Sequence, residues 1–210
     1  MTAATSLLCA RDVGLRRGAR TILEGLDLDV AVGDRIAISG RSGSGKTSLL
    51  LVLAGLLAPT AGSVSFPEES DAVYVPQGPS LVPELSALDN AALPLRLRGV
   101  APAVAREQAA GELQLLGLGE AQEGLPWQLS VGMQQRAALA RALTLRPRLM
   151  LADEPTGALD RATGSQVLSV LLEQTNRNGA ALIVATHDAE VAERFTRRLT
   201  LRDGRLETAQ

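Results

Sequence analysis

The sequence predicts an α/β fold with a mostly parallel sheet core, an antiparallel β portion near the N-terminus and an inserted α-helical lobe. Residues 149–152 and Ala181–Ala185 are continuous apolar runs, as expected for parallel strands covered on both faces. The helical pattern of residues 162–176 predicts the crossover between them. Residues 21–30 alternate apolar and polar side chains, which is typical of a half-exposed antiparallel strand. Residues 86–129 are rich in alanine and leucine and predict the helical lobe.

Glycines and prolines mark where further elements begin and end. Arg35–Ser39 is a short apolar run that predicts a strand, and a glycine follows it. Residues 47–58 predict an apolar helix, which Pro59 ends because proline disfavours helical backbone at the residue before it. Near the C-terminus an Asp-Gly pair separates residues 199–202 from 205–207, and this pattern predicts a closing hairpin.

The helical lobe interrupts an otherwise regular alternation of strands and helices. It follows a predicted strand at Ala72–Val75, and Pro94 and Pro102 are expected to break its helices. No low-complexity linker divides the chain, and its length suits one domain. We therefore expect a single domain over residues 1–210, with its core at 1–84 and 145–210 and the lobe at about 85–144.

The composition argues against several kinds of partner and site. The 210 residues are 46% hydrophobic and 21% charged, which is enough to form a globular core. An aromatic share of 2% and a net charge of −2 give no stacking platform and no basic surface, so no nucleic acid is expected. Cys9 is the single cysteine, so no internal disulfide can form. No signal peptide is visible and the longest apolar run is too short to span a bilayer, so membrane association requires a partner.

Residues 40–47 fit the phosphate-binding pattern G-x-x-x-x-G-K-[ST], and they lie between a predicted strand and a predicted helix. Glycines let the backbone approach phosphates closely, and the exposed N–H groups and the helix N-terminus favour anions. Lys46 would reach the terminal phosphates of ATP, and the Thr47 hydroxyl would bind Mg²⁺. The predicted nucleotide-binding residues of this phosphate loop are Gly40, Arg41, Ser42, Gly43, Ser44, Gly45, Lys46, Thr47 and Ser48. The fold is therefore predicted to be that of a P-loop NTPase.

Two adjacent carboxylates end the apolar run of residues 149–152. Asp153 fits the role of holding Mg²⁺, directly or through water. Glu154 then lies one residue further along, at the carboxyl edge of the strand, where ligands bind in open α/β sheets. A carboxylate at that position can orient and deprotonate an attacking water, which predicts hydrolysis as well as binding.

Five motifs in order resemble the ATP-binding subunit of an ABC transporter. They are GRSGSGKT at 40–47, YVPQ at 74–77, LSVGMQQR at 129–136, LMLADEPTGALD at 149–160 and ATHD at 185–188. They cover most of the chain, and the run from 129 to 160 is the most specific. We call residues 129–133 the signature.

The resemblance implies a role for each matching residue. Gln77 would sense Mg²⁺ and the attacking water and link the site to a membrane partner. Ser130 and Gly132 would contact the γ-phosphate of ATP bound to a second copy, at the start of a helix near Gly132. Asp160 would couple the two sites, and His187 would contact the γ-phosphate with Glu154 as the base. The implied cofactors are ATP and Mg²⁺, and the implied partners are a second copy and a transmembrane permease at the cytoplasmic face of the membrane.

Three positions depart from the family pattern. Val131 and Met133 replace the first glycine and the glutamine of LSGGQ. Valine disfavours positive φ, so the signature is strained if position 131 requires it. The usual adenine-stacking aromatic falls on Arg17, or alternatively on Arg16, and a guanidinium can also stack on a base.

Residues 81–95 and 156–160 resemble the ATPases of lipoprotein-release, macrolide-export and cell-division systems. Three alternatives remain open. The first is a soluble ABC-type ATPase that is not coupled to transport, and the second is a subunit that binds ATP without turnover. The third is a P-loop kinase, for which the signature and the ATHD motif have no explanation.

Overall fold

A computed structural model describes residues 6–66 and 72–208 and confirms the predicted α/β fold class. Its first sheet is antiparallel and three-stranded, formed by β1 (Ser6–Arg17), β2 (Arg20–Ala31) and β4 (Ala61–Ser65) in the order β2-β1-β4. The predicted antiparallel strand at 21–30 corresponds to β2. Its apolar residues are buried in alternation with exposed polar ones, so one face of the strand meets the core.

The second sheet has six strands and is mostly parallel. Its strands, in spatial order, are β5 (Ala72–Val75), β6 (Leu149–Asp153), β7 (Ala181–Ala185), β3 (Arg35–Ser39), β8 (Arg197–Arg202) and β9 (Arg205–Thr208). Strands β6, β7, β3 and β8 run parallel, and β8 and β9 form the predicted antiparallel hairpin. Every residue of β6 and β7 is buried, which explains their continuous apolar sequences. The carboxyl ends of β3, β6 and β7 therefore meet at one edge.

The helix after β3 is shorter than predicted. Helix α1 spans Lys46–Leu53 and does not reach Ala58, so the prediction that Pro59 ends it was wrong. Gly55 ends the helix instead, because it adopts a left-handed conformation at φ +71°. Its N–H bonds the carbonyl oxygen of Val52 at 3.0 Å, and the chain turns away before the proline is reached.

Contacts divide the chain into two units. The first comprises the described parts of Met1–Tyr74, Pro147–Glu154 and Thr175–Gln210. It contains both sheets except for the last residue of β5, and also α1 and α6 (Ala189–Ala192). Its core is aliphatic, and the largest fully buried side chains include Leu7, Leu8, Ile36, Ile38, Leu49, Leu50, Leu53 and Leu149. This core holds α1 and the ends of β3, β6 and β7 in fixed positions.

The second unit comprises Val75–Arg146 and Pro155–Gln174. Three helices pack against one another in it, namely α2 (Ala87–Leu97), α3 (Pro102–Leu115) and α4 (Val131–Leu143). Helix α5 (Arg161–Arg177) begins in this unit and ends in the first, and it confirms the predicted crossover helix. The division of the chain into core and lobe at 85 and 144 stays a prediction.

Pro94 and Pro102 affect the helices of the second unit differently. Pro102 is the first residue of α3, where its missing N–H is tolerated. Pro94 lies inside α2, so the prediction that it breaks a helix was wrong. Helix α2 continues because Leu88, Ala91 and Leu95 are buried on one face, and this packing outweighs the lost hydrogen bond. In the described residues, no helix has the length and apolar character needed to cross a bilayer.

Candidate functional site

The phosphate loop connects the end of β3 to the start of α1. Gly40 has φ +156°, and a Cβ built there would lie 2.7 Å from the Leu201 carbonyl oxygen and 2.8 Å from Ser44 Oγ. Gly45 caps α1 with φ +105°, and its Cβ would meet the Ile22 side chain at 3.1 Å. Both positions therefore require glycine for backbone conformation and for space. The loop is a close-fitting backbone cradle.

Lys46 and Ser44 carry polar groups into this cradle. Lys46 is only 9% exposed, and its Nζ donates hydrogen bonds to the carbonyl oxygens of Gly40 at 2.8 Å and Arg41 at 3.4 Å. Ser44 Oγ is buried without a hydrogen-bond partner in the described part of the chain. A buried hydroxyl with no partner is uncommon, and a phosphate oxygen would satisfy it. The cradle fits an anion of this kind.

A cavity of about 560 Å³ opens beside the loop. Gly40, Arg41, Ser42, Gly43 and Ser44 form one wall, and residues 20–22 and 200–204 form the others. Arg17, the predicted base-stacking residue, is not among the lining residues. It is exposed at the end of β1 and pairs across the hairpin with Arg20, which does line the cavity.

Thr47 and Asp153 meet at the edge of the sheet, as their positions after β3 and in β6 predict. Thr47 Oγ1 donates a hydrogen bond to Asp153 Oδ2 at 2.5 Å. Burial raises the pKa of Asp153 above its usual value and Glu154 adds to this effect, whereas the hydrogen bonds from Thr47 and Tyr74 act in the opposite direction. A hydroxyl and a carboxylate so close together are hard oxygen donors that suit Mg²⁺.

Tyr74 is a residue at this site to which the sequence analysis gave no role. Its hydroxyl hydrogen-bonds the Asp153 carboxylate, and burial together with that carboxylate raises the pKa of Tyr74 to about 12. The phenol is therefore a neutral donor at physiological pH. The signal was present, because this tyrosine lies next to the last residue of a short apolar strand and opens the YVPQ motif that ends at Gln77.

Glu154 is held in an unusual backbone conformation. It is one of five non-glycine residues with positive φ in the described chain, at +48°, and its N–H bonds the Ala185 carbonyl oxygen at 2.9 Å. The left-handed conformation is costly for a glutamate and is typical of functional positions. It directs the chain out of the sheet directly after Asp153, so the two neighbouring carboxylates form hydrogen bonds with different residues.

The Glu154 carboxylate is bound by the segment that follows β7. Thr186 Oγ1 donates to Glu154 Oε2 at 3.3 Å, and His187 Nδ1 lies 2.7 Å from Glu154 Oε1. With Glu154 ionised, Nδ1 is the donor, which leaves His187 Nε2 available to a ligand. The His187 side chain is 71% exposed and that of Glu154 only 9%, so a ligand can reach the imidazole.

The remaining predicted residues lie in the second unit. Gln77 is exposed in the loop after β5. Ser130 is the N-cap of α4, and its Oγ accepts a hydrogen bond from the Met133 N–H at 3.2 Å. A Cβ on Gly132 would lie 3.0 Å from Leu159 Cδ2, so the signature packs tightly on residues 158–159. Asp160 Oδ1 accepts a hydrogen bond from the Thr163 N–H, and hydrogen bonding by Thr163 lowers the pKa of Asp160.

Val131 does not strain the signature. It is the first residue of α4 and is absent from the described residues with positive φ, so the conformation that valine disfavours is not required. Its side chain is 60% exposed, which leaves room for it on the surface. Replacing the glycine of LSGGQ therefore costs no backbone strain here.

Comparisons with known proteins identify the family. A sequence profile described as ABC transporter matches residues 23–157. The lipoprotein-releasing system ATP-binding protein LolD of Legionella pneumophila (strain Paris) is 42% identical over 200 residues, covering 88% of each chain. The ABC transporter ATP-binding protein YbbA of Escherichia coli (strain K12), whose name calls it uncharacterized, is 42% identical over 212 residues, covering 94% of this chain and 93% of that protein.

Solved structures agree with these sequence relatives. The ATP-binding cassette MJ0796, in a dimeric post-hydrolysis state bound to ADP and Pi, superposes with a TM-score of 0.89 at 30% identity. The superposition covers 97% of this chain and 99% of the cassette. On the phosphate loop, the paired carboxylates and these matches together, the chain belongs to the ABC transporter family, as one of its ATP-binding and ATP-hydrolysing subunits.

Proposed function

We propose that two copies of this chain close around two molecules of Mg-ATP and so drive a membrane permease. The observation that supports this proposal best is the hydrogen bond between Thr47 and Asp153. It brings the first turn after the phosphate loop to the end of a buried strand, with Glu154 as the next residue. A site for a metal-bound triphosphate needs these three side chains close together.

Thr47 and Asp153 would hold Mg²⁺ through their oxygen atoms, and the amide oxygen of Gln77 is the third ligand that we propose. A bound Mg²⁺ supplies charge neutralisation at the terminal phosphates. Tyr74 supports the arrangement by donating to Asp153, which orients the carboxylate. Lys46 and the N–H groups of the loop would bind the phosphates, because α1 begins here and directs its positive end at them.

Glu154 would orient the attacking water and accept its proton. It is buried, and its left-handed backbone and two side-chain donors fix its carboxylate. A base held in one geometry needs little reorganisation when the proton moves. His187 would bind the γ-phosphate through Nε2 while its Nδ1 stays on Glu154, so one imidazole would align base and substrate.

The second copy would complete each site through Ser130 and Gly132 of its signature. The Ser130 oxygen accepts the Met133 N–H and its hydroxyl hydrogen remains available as a donor, so the residue can cap α4 and bind a phosphate together. Asp160 would lie between the two sites and couple them. The dimeric state of the cassette MJ0796 supports this arrangement.

The transport role is proposed from the relatives. LolD is named as part of a lipoprotein-releasing system, and we place this chain in the subgroup of lipoprotein-release, macrolide-export and cell-division ATPases. It would then bind a permease at the cytoplasmic face of the membrane. A soluble ATPase that is not coupled to transport is the alternative. Adding the permease in lipid distinguishes the two functions, because only a transport subunit should change its rate of ATP turnover when the permease is present.

Glu154→Gln tests the catalytic core of the proposal. This variant keeps the shape of the side chain and should still bind Mg-ATP, but we expect turnover to fall by about a hundredfold or more. It should also elute as an ATP-bound dimer in size-exclusion chromatography. Glu107→Gln is the matched control, since Glu107 is exposed on α3 and should leave turnover unchanged. Normal turnover by Glu154→Gln would contradict the assignment of Glu154 as base.

A further inference from the structure

Arg141 lies near the C-terminal end of α4 and holds the loop that begins at Gln77. Its Nη1 donates to the carbonyl oxygen of Ser80 at 2.9 Å, and its Nη2 lies 3.4 Å from the carbonyl oxygen of Pro79. The side chain is half-buried, and burial lowers the pKa of Arg141 below the usual value for arginine. Arg141 forms no ion pair within residues 6–66 and 72–208, so these carbonyl groups compensate for its burial.

The two carbonyl groups flank Ser80, whose backbone conformation is unfavourable. Ser80 has φ +44°, in the left-handed region that residues with a side chain rarely adopt. One bound carbonyl belongs to Pro79 before it and the other to Ser80 itself. The planar fork of a guanidinium can hold two acceptors at fixed spacing, which an ammonium group cannot do. Arg141 therefore stabilises the left-handed backbone conformation of Ser80.

Asn90 of α2 holds the other end of the same loop. Its side chain is fully buried and bonds the N–H of Val82 at 2.7 Å and the carbonyl oxygens of Val82, Leu85 and Ser86 at 2.9–3.0 Å. These bonds attach residues 82–86 to the helix that directly follows them. The bonds of Arg141 are different in kind, because they attach residues 79–80 to α4, which lies far away in the sequence.

The opposite end of α4 is the signature. Ser130 caps the helix, and Arg141 lies 11 positions further along it, which corresponds to about 16 Å of helix. A continuous hydrogen-bonded helix of this length moves as a rigid element. One helix thus carries Ser130 at its first turn and the loop of Gln77 near its last turn.

We propose that Arg141 is a positioning residue that joins the Gln77 loop to the signature helix, so that Gln77 and Ser130 are placed as one rigid unit. This inference rests on the proposed function, in which both residues contact ATP. It adds a physical link between the residue that binds the nucleotide of its own copy and the residue that binds the nucleotide of the second copy. Without the link, the loop would move independently of α4.

Limited proteolysis of the nucleotide-free protein with thermolysin, which cleaves before leucine, tests the attachment itself. Arg141→Met removes the donors and keeps much of the aliphatic bulk, and Arg141→Lys keeps the charge without the fork. Cleavage between Ser80 and Leu81 should be about tenfold faster in the first variant and less accelerated in the second. Arg136→Met is the matched control, because Arg136 also lies on α4 but donates to the carbonyl oxygens of Leu116 and Gly117. It should leave cleavage between Ser80 and Leu81 at the wild-type rate.

A double-mutant cycle on ATP turnover tests whether Arg141 acts through Gln77. Arg141→Met should lower kcat about tenfold in the wild-type background but less than about twofold in Gln77→Ala, because coupled residues are not additive. Equal factors in both backgrounds, or unchanged cleavage between Ser80 and Leu81, would overturn the inference. Failure of the proposed function would be seen separately, as absent turnover in the wild type, and the proteolysis experiment does not depend on it.

Discussion

Gly40→Ala would place a methyl group where the phosphate loop meets the sheet. The new Cβ would lie 2.7 Å from the carbonyl oxygen of Leu201 and 2.8 Å from Ser44 Oγ. The serine hydroxyl can rotate away. The carbonyl oxygen cannot, because it belongs to β8, which is paired on both sides with β3 and β9. The loop must therefore move away from the sheet.

The cost has two parts. Overpacking against fixed atoms costs about 1–3 kcal/mol. A φ of +156° adds about 1–3 kcal/mol, since this conformation is nearly restricted to glycine. A sum near 4 kcal/mol corresponds to a fall in Tm of about 10 °C for a chain of this size. Gly43→Ala is the matched control. Its φ is +76° but no atom lies within 4 Å of the position that a Cβ would take there, so it should lose only about 3 °C.

The measurement is thermal unfolding followed by circular dichroism, without nucleotide and with Mg-ATP. Gly40→Ala should also lose most of the rise in Tm that ATP gives the wild type, because a displaced loop binds phosphate poorly. If Gly40→Ala unfolds within about 3 °C of the wild type, or no lower than Gly43→Ala, the reasoning from close contacts is wrong.

Three further predictions follow from single positions. Gly111→Ala should raise Tm by about 2–4 °C, because alanine favours helix over glycine by about 1 kcal/mol. Gly111 lies inside α3, and no atom lies within 4 Å of the position that a Cβ would take there; an unchanged or lower Tm would contradict this. Asp153→Asn should stabilise the magnesium-free protein and abolish hydrolysis. Burial raises the pKa of Asp153, so its ionisation costs stability once the pH exceeds the ordinary aspartate value of about 4, and the gain in Tm should be larger at neutral pH than near pH 4; a gain that shrinks with pH would refute it. Val131→Gly should change steady-state ATPase by less than about twofold, because Val131 has ordinary helical backbone; a severalfold faster enzyme would contradict this.

The sequence predicted those parts of the fold whose local pattern and tertiary environment agree. Arg35–Ser39 and Ala181–Ala185 match their predicted bounds because a strand buried on both faces must be apolar throughout. The end of α1 was missed because the sequence contains two stop signals close together, and the nearer one, Gly55, acts first. Pro94 was misjudged because packing of the surrounding face decides whether a helix tolerates proline, and a single sequence does not reveal that packing.

The site was predicted in its residue types more than in its geometry. Thr47 and Asp153 meet because the carboxyl ends of parallel strands share an edge, which topology alone implies. The left-handed backbone of Glu154 could not be predicted, since glutamate has no preference for it and the surrounding fold imposes it. The hydroxyl of Tyr74 and the fork of Arg141 were also missed, because polar contacts across elements follow from three-dimensional proximity.

The cap of α4 restricts which residues position 130 can carry. Aspartate and asparagine would end the helix as well as serine does, because each offers an oxygen to the N–H of residue 133. In the dimer that we propose, neither would suit the phosphate of ATP bound to the second copy, since aspartate adds a repelling charge and asparagine is longer and differently shaped. A library of variants at this position, sorted by folding alone, should thus retain several residue types, whereas sorting by transport activity should retain serine. The residue types retained by the first sorting and lost in the second would be those that cap the helix but do not support transport.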